Sequence, residues 1–129
     1  MLTITTLYTL ILSVLMLVLW MNVTRTRAGN HISIGHGDDV TLHERVRMHG
    51  NFMEWVPMTV ALIALAELNG VSSLWLHACG IAAVIGRVAH PFGLKADNPA
   101  HPLRIVGNMG NLLAVLALVF LIVLRVLVP

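Results

Sequence analysis

Residues 2–24 carry no charged side chain and are predominantly apolar. A run of about 20 such residues, rising 1.5 Å each as a helix, matches the thickness of a bilayer's hydrocarbon core. Three further segments follow: 41–68, polar in its first half and apolar in its second, 73–90, apolar up to Arg87, and 102–127, apolar between Arg104 and Arg125. Backbone groups in lipid have no water to bond, so chain segments of this kind are restricted to helices or a closed barrel. At this length and periodicity they read as helices. The composition agrees: 57% of residues are apolar and only 11% are charged. A soluble domain has about 45–50% apolar and about 25% charged residues, so a soluble globular fold is excluded. The chain has 129 residues, enough for about four or five spans of 20 and too few for an added nucleotide-binding fold. Cys79 is the only cysteine, which excludes an internal disulfide framework and a CxxC redox centre. The net charge of +2 reflects few charges rather than a basic patch, so nucleic-acid binding has no support.

The expected architecture is an all-α, integral membrane four-helix bundle in a single domain, residues 1–129. A cleaved signal would carry positive charge before its apolar run. Here Arg25 and Arg27 follow it, so the first run reads as an uncleaved span. Residues 28–40 form a polar loop rich in Gly, His and Asp. Asp38, Asp39 and Thr41 stand where a helix cap belongs, with Glu44 three residues after Thr41 in capping-box spacing. Pro57 is expected to kink the second helix. Residues 69–73 make a turn short enough to force antiparallel neighbours. Ala78, Ala82 and Gly86 recur every four residues on the third helix and suit close packing. Pro102 suits the first turn of the fourth. Seven of the eight basic residues lie in or beside the two polar loops, and only Arg125 lies at the other end. The positive-inside rule then places those loops in the cytoplasm and both termini outside.

Charged and amide side chains in membrane helices are functional hypotheses by default, since a charge at the bilayer centre costs about 2.5–3.5 kcal/mol on insertion scales. Glu44, Arg47, Asn51 and Glu54 step by 3, 4 and 3. At 100° per residue they occupy about 80° of arc on one helix face, in a stripe about 15 Å long. Arg87 and His90 sit three apart near the end of the third helix. Arg104, Asn108 and Asn111 share a face of the fourth. Three helices thus carry polar stripes at one depth. The plainer reading is a network that glues helices together, with Arg47 paired to a glutamate and the asparagines bonded across helices. Charge argues for more: Arg47, Arg87 and Arg104 against Glu54 leave +2. Unpaired buried charge is costly, so the stripes imply a small anionic ligand reached from the cytoplasm, with an apolar partner entering from lipid.

The run Glu44-Arg45-Val46-Arg47-Met48-His49-Gly50-Asn51-Phe52-Met53-Glu54, with Gly86-Arg87-Val88-Ala89-His90 and Pro102-Leu103-Arg104, resembles the signature of the MAPEG family. These are membrane-associated proteins of eicosanoid and glutathione metabolism. The resemblance covers essentially the whole chain, and its length and loops look most like the short bacterial branch. It implies a homotrimer in a bacterial inner membrane, with glutathione as co-substrate between protomers and no metal. Arg25, Arg47, Asn51, Glu54, Arg87 and His90 match glutathione-binding positions. Arg104 matches the arginine credited with activating the thiol. A free thiol with a pKa near 8.5 is only a few per cent ionised at pH 7, and a guanidinium beside the sulfur favours the thiolate. The implied activity is a glutathione-dependent transferase or lipid-hydroperoxide peroxidase acting on a lipophilic electrophile. A lipid-binding scaffold on the same fold is the alternative, and a small anion transporter is a third reading. The chain departs from the family pattern in three respects: Pro91-Phe92-Gly93-Leu94 follows His90 where the eukaryotic enzymes carry a tyrosine, and the only tyrosine here is Tyr8; Gly50 stands where some members have a further basic residue; and the loop before Arg104 is about one residue longer.

The seven histidines do not suggest a metal centre. His31, His36, His43 and His49 are spaced 5, 7 and 6 apart, which fits no compact ligand motif. His77 reads as a helix-contact residue, Cys79 as a small packing residue, and the methionines as apolar filler.

Overall fold

The computed structural model describes residues 1–127 and contains four helices: α1 (Thr3–Asn30), α2 (Val40–Leu68), α3 (Ser73–Gly93) and α4 (Pro102–Leu127). Successive helices run antiparallel. α3 and α4 make the most extensive contact, followed by α1 and α2, while α1 and α4 do not meet among the described residues. α1, α2 and α4 are long and apolar enough to cross a membrane, with mean hydropathy of 2.2, 1.3 and 2.5. α3 has 21 residues, about 31 Å of helix, and His77, Arg87 and His90 lower its apolarity. The chain is an all-α membrane bundle.

Each helix end shows how the sequence sets it. α1 continues to Asn30, past the expected end near residue 24. Apolar periodicity stops at the membrane edge, but nothing before Gly29 breaks the helix. The polar extension is held to α2 where Arg45 donates to Thr26 Oγ1 and Asn30 donates to Asp39. His31 ends it in the left-handed region at φ 54°. α2 starts at an Asp39 cap whose carboxylate accepts from the Leu42 N–H at 2.9 Å. The expected Thr41–Glu44 capping box does not form, because Glu44 is engaged by the α3–α4 loop. α2 ends in a Schellman turn: Val71 N–H donates to Ala66 O, Gly70 N–H donates to Glu67 O, and Gly70 sits at φ +71°. α3 runs one turn beyond its expected end at residue 90, through Pro91 to Gly93. The proline removes only one hydrogen bond in a final turn, and that turn is packed on α4.

Small residues set the helix spacing. The Tyr8 ring lies over Gly80, where a Cβ would fall 2.4 Å from it. The Tyr8 hydroxyl meets His77 Nδ1 at 2.9 Å, the helix contact expected of that histidine. Gly86 and Gly107 bring α3 and α4 together backbone to backbone, since a Cβ on Gly86 would stand 2.8 Å from Gly107 O. Of the Ala78–Ala82–Gly86 line, Ala82 and Gly86 pack against α4 at Gly110 and Gly107, but Ala78 is exposed, and Cys79, Gly80 and Ala83 are the small residues buried beside them. Two apolar clusters complete the core. One joins Tyr8, Ile63, Leu76, Ala83 and Leu118, and the other joins Leu12, Leu19, Phe52 and Val56.

At the end of the bundle where α1 begins, Glu67 closes the fold. The first turn of α1 has no side-chain cap of its own. Glu67 of α2 supplies one, accepting from Ile4 N–H at 3.0 Å, Thr5 N–H at 2.8 Å and Thr5 Oγ1 at 2.6 Å. Glu67→Ala should lower stability by about 1–2 kcal/mol, the scale of a lost cap with charge-assisted bonds. Thermal unfolding in detergent measures this, and an unchanged midpoint would show that the cap contributes nothing.

Candidate functional site

The opposite end of the bundle gathers the start of α2, the end of α3, the start of α4 and the α3–α4 loop. Between them lies a cleft of about 320 Å³, at the small end of the roughly 300–1,000 Å³ range for small-molecule sites. α2 contributes His43, Glu44, Arg47 and Asn51 to its wall. The end of α3 and the loop contribute His90, Leu94, Lys95 and Ala96, and α4 contributes Arg104 and Asn108. Arg47, Lys95 and Arg104 against Glu44 give this wall a net +2 with its histidines neutral.

A buried guanidinium holds the floor in place. Arg87 is only 1% exposed. It donates to Asn51 Oδ1 at 2.8 Å and to Gly107 O at 3.2 Å, joining α3 to both α2 and α4. The close Gly86–Gly107 approach puts that carbonyl within reach. At the top of the cleft, Gly93 abuts the Arg104 backbone, where a Cβ would fall 2.2 Å from Arg104 N. This contact fixes the first turn of α4. His101 helps to close the same turn, its Nδ1 accepting from Leu103 N–H at 3.2 Å. The half-buried Arg104 forms no ion pair among the described residues. Its position beside a helix N-terminus adds to a potential that favours an anion.

The expected site residues fall into two groups. Arg47, Asn51, His90 and Arg104 line the cleft together. Arg87, Glu54 and Arg25 do not. Arg87 lies beneath it with its head committed to Asn51 and Gly107. Glu54 is half-exposed and pairs with Arg47 at 3.4 Å. Arg25 is exposed on the last turns of α1. Spacing on the helices did not bring Lys95, Ala96 or His43 into the site. Lys95 is the only lysine in the chain and stands in a polar loop, which was the available signal. The only tyrosine packs at the far end of the bundle, so no phenol faces the cleft.

The MAPEG family model matches residues 5–124. The chain belongs to the MAPEG family. Among curated relatives, the inner membrane protein YecN of Escherichia coli strain K12 is 31% identical over 87 residues, covering 67% of this chain and 66% of YecN. YecN of Escherichia coli O6:H1 strain CFT073 matches to the same extent. The matched stretch is thus just under two thirds of the relatives' own length. No solved structure matches this MAPEG chain. The spanning helices and the inner-membrane relatives support an integral inner-membrane location.

The bonding predicts unequal costs within the stripe. Asn51→Ala should destabilise the bundle by about 1.5–3 kcal/mol, because it strips a partner from a buried guanidinium. Arg47→Ala should cost less than about 1 kcal/mol, because the Arg47–Glu54 pair is half open to solvent. Unfolding midpoints of the two variants in one detergent give the comparison, and equal losses would contradict it.

Proposed function

We propose that this protein is a glutathione-dependent membrane transferase or lipid-hydroperoxide peroxidase, with Arg104 stabilising the glutathione thiolate. The family includes glutathione transferases and peroxidases. The observation that carries the reading is Arg104 itself: a cation without an ion-pair partner among the described residues, on the first turn of α4, facing a cationic cleft. Glutathione has net charge −1, or −2 as thiolate, so the +2 wall complements its reactive form. If the sulfur's pKa falls from about 8.5 to about 6.5, its ionised fraction at pH 7 rises from about 3% to about 75%, for about 2.7 kcal/mol of differential interaction.

The remaining roles follow from position. Arg47 holds a carboxylate by charge-assisted bonds. Asn51 and His90 bond the peptide, and Arg87 positions Asn51. Glu54 takes the ammonium at the rim. Arg25, exposed on α1, serves the cleft of a neighbouring protomer in a homotrimer. The polar loops face the cytoplasm, so glutathione enters from there and the lipophilic partner enters from the bilayer. The thiolate then forms an S–C bond to an electrophilic carbon, either expelling that carbon's leaving group as an anion or breaking the π bond of an activated alkene, whose resulting carbanion takes a proton from water. Alternatively, two glutathiones and one hydroperoxide give glutathione disulfide, an alcohol and water. The lack of a phenol in the cleft favours a second reading, a lipid-binding scaffold on the same fold.

Calorimetry and ultraviolet absorbance on detergent-purified protein separate the two. Glutathione should bind with a thiolate band. Arg104→Ala should remove the band, and Arg104→Lys should retain part of it. No binding at millimolar glutathione would favour the scaffold.

A further inference from the structure

Glu44 is an anomaly in the cleft wall. Every other fixed charge there is cationic, and Asp39 rather than Glu44 caps α2. Both Glu44 oxygens are held by the α3–α4 loop. Oε1 accepts from the Ala96 N–H at 2.8 Å, and Oε2 accepts from the Lys95 ammonium at 3.2 Å. The Glu44 side chain is 13% exposed and that of Lys95 is 49% exposed. One main-chain N–H and one ammonium converging on the two oxygens of one carboxylate are the donor set that recognises carboxylates in general. Both donors line the cleft.

We propose that Ala96 N–H and Lys95 Nζ form a carboxylate-binding site for the ligand, which Glu44 occupies as an internal surrogate until a ligand carboxylate displaces it. The choice of glutathione as that ligand rests on the function proposed above; the site itself would take any carboxylate small enough for the cleft. Charge matching supports it. A tripeptide thiolate brings three anionic groups. Arg87 is committed beneath the floor, so within this chain's own wall Arg104 and Arg47 match two of the three groups, and Lys95 is the remaining cation there. Displacement is feasible because the Lys95 end of the pair is half open to solvent, and an ion pair that water reaches is weakly held. Glu44 therefore competes with the ligand, and removing it tightens binding.

The test is calorimetry of glutathione on the full chain in detergent, with Glu44→Ala, the equal-sized Glu44→Gln, Lys95→Met and the Glu44→Ala/Lys95→Met double variant. Glu44→Ala should bind about tenfold more tightly than wild type, with Glu44→Gln moving the same way. Lys95→Met should bind more weakly, and the gain from Glu44→Ala should vanish in its background. A charge effect spread over the whole cleft would tighten both backgrounds equally and overturn the proposal, as would weaker binding by both Glu44 variants. A second arm follows the Ala96 amide resonance during titration with succinate. It should shift most in Glu44→Ala and not at all in the double variant, and no shift in Glu44→Ala overturns the site. If glutathione fails to bind while succinate still shifts Ala96, the glutathione reading falls and the carboxylate site stands.

Discussion

A guanidinium buried in an apolar bundle needs partners, and the partners found by Arg87 organise one end of the molecule. Its two terminal nitrogens bind Asn51 of α2 and the Gly107 carbonyl of α4. The carbonyl is within reach only because Gly86 and Gly107 let the α3 and α4 backbones touch. With three helices tied at that point, Arg47, His90 and Arg104 come to face one another across a small cleft. The apolar clusters further along the bundle hold the helices together, while the Arg87 node sets how their polar stripes are aligned.

The helix count and the helix identities were legible because apolar length is a strong signal in a membrane chain. The boundaries were less so. α1 outruns its apolar stretch because Thr26 and Asn30 find partners on and just before α2, a tertiary effect that hydropathy does not contain. Pro91 marked an expected stop, yet the turn beyond it packs Gly93 against Arg104. On α3 the four-residue spacing named Ala78, whereas the buried small residue is Gly80, chosen by the ring of Tyr8.

The site was legible as a set of stripes but not as a division of labour. Periodicity put Arg47 and Asn51 on one face, and the cleft bears this out. The same logic put Arg87 and Glu54 in the cleft with them, but one is consumed as a structural node and the other stands at the rim. Lys95 belongs to a loop, and helical spacing says nothing about where a loop folds back. Glu44 looked like a cap from its distance to Thr41, yet its carboxylate serves the opposite wall. Family membership accords with the fold. The chemistry proposed for the cleft rests on the residues that line it.

The most direct test of the central claim is an experimental structure of the protein with glutathione bound. The account predicts the tripeptide in the cleft between α2, α3 and α4, with its sulfur within hydrogen-bonding reach, about 3–3.5 Å, of the Arg104 guanidinium. Glutathione bound elsewhere, or seated in the cleft with its sulfur turned away from Arg104, would contradict it.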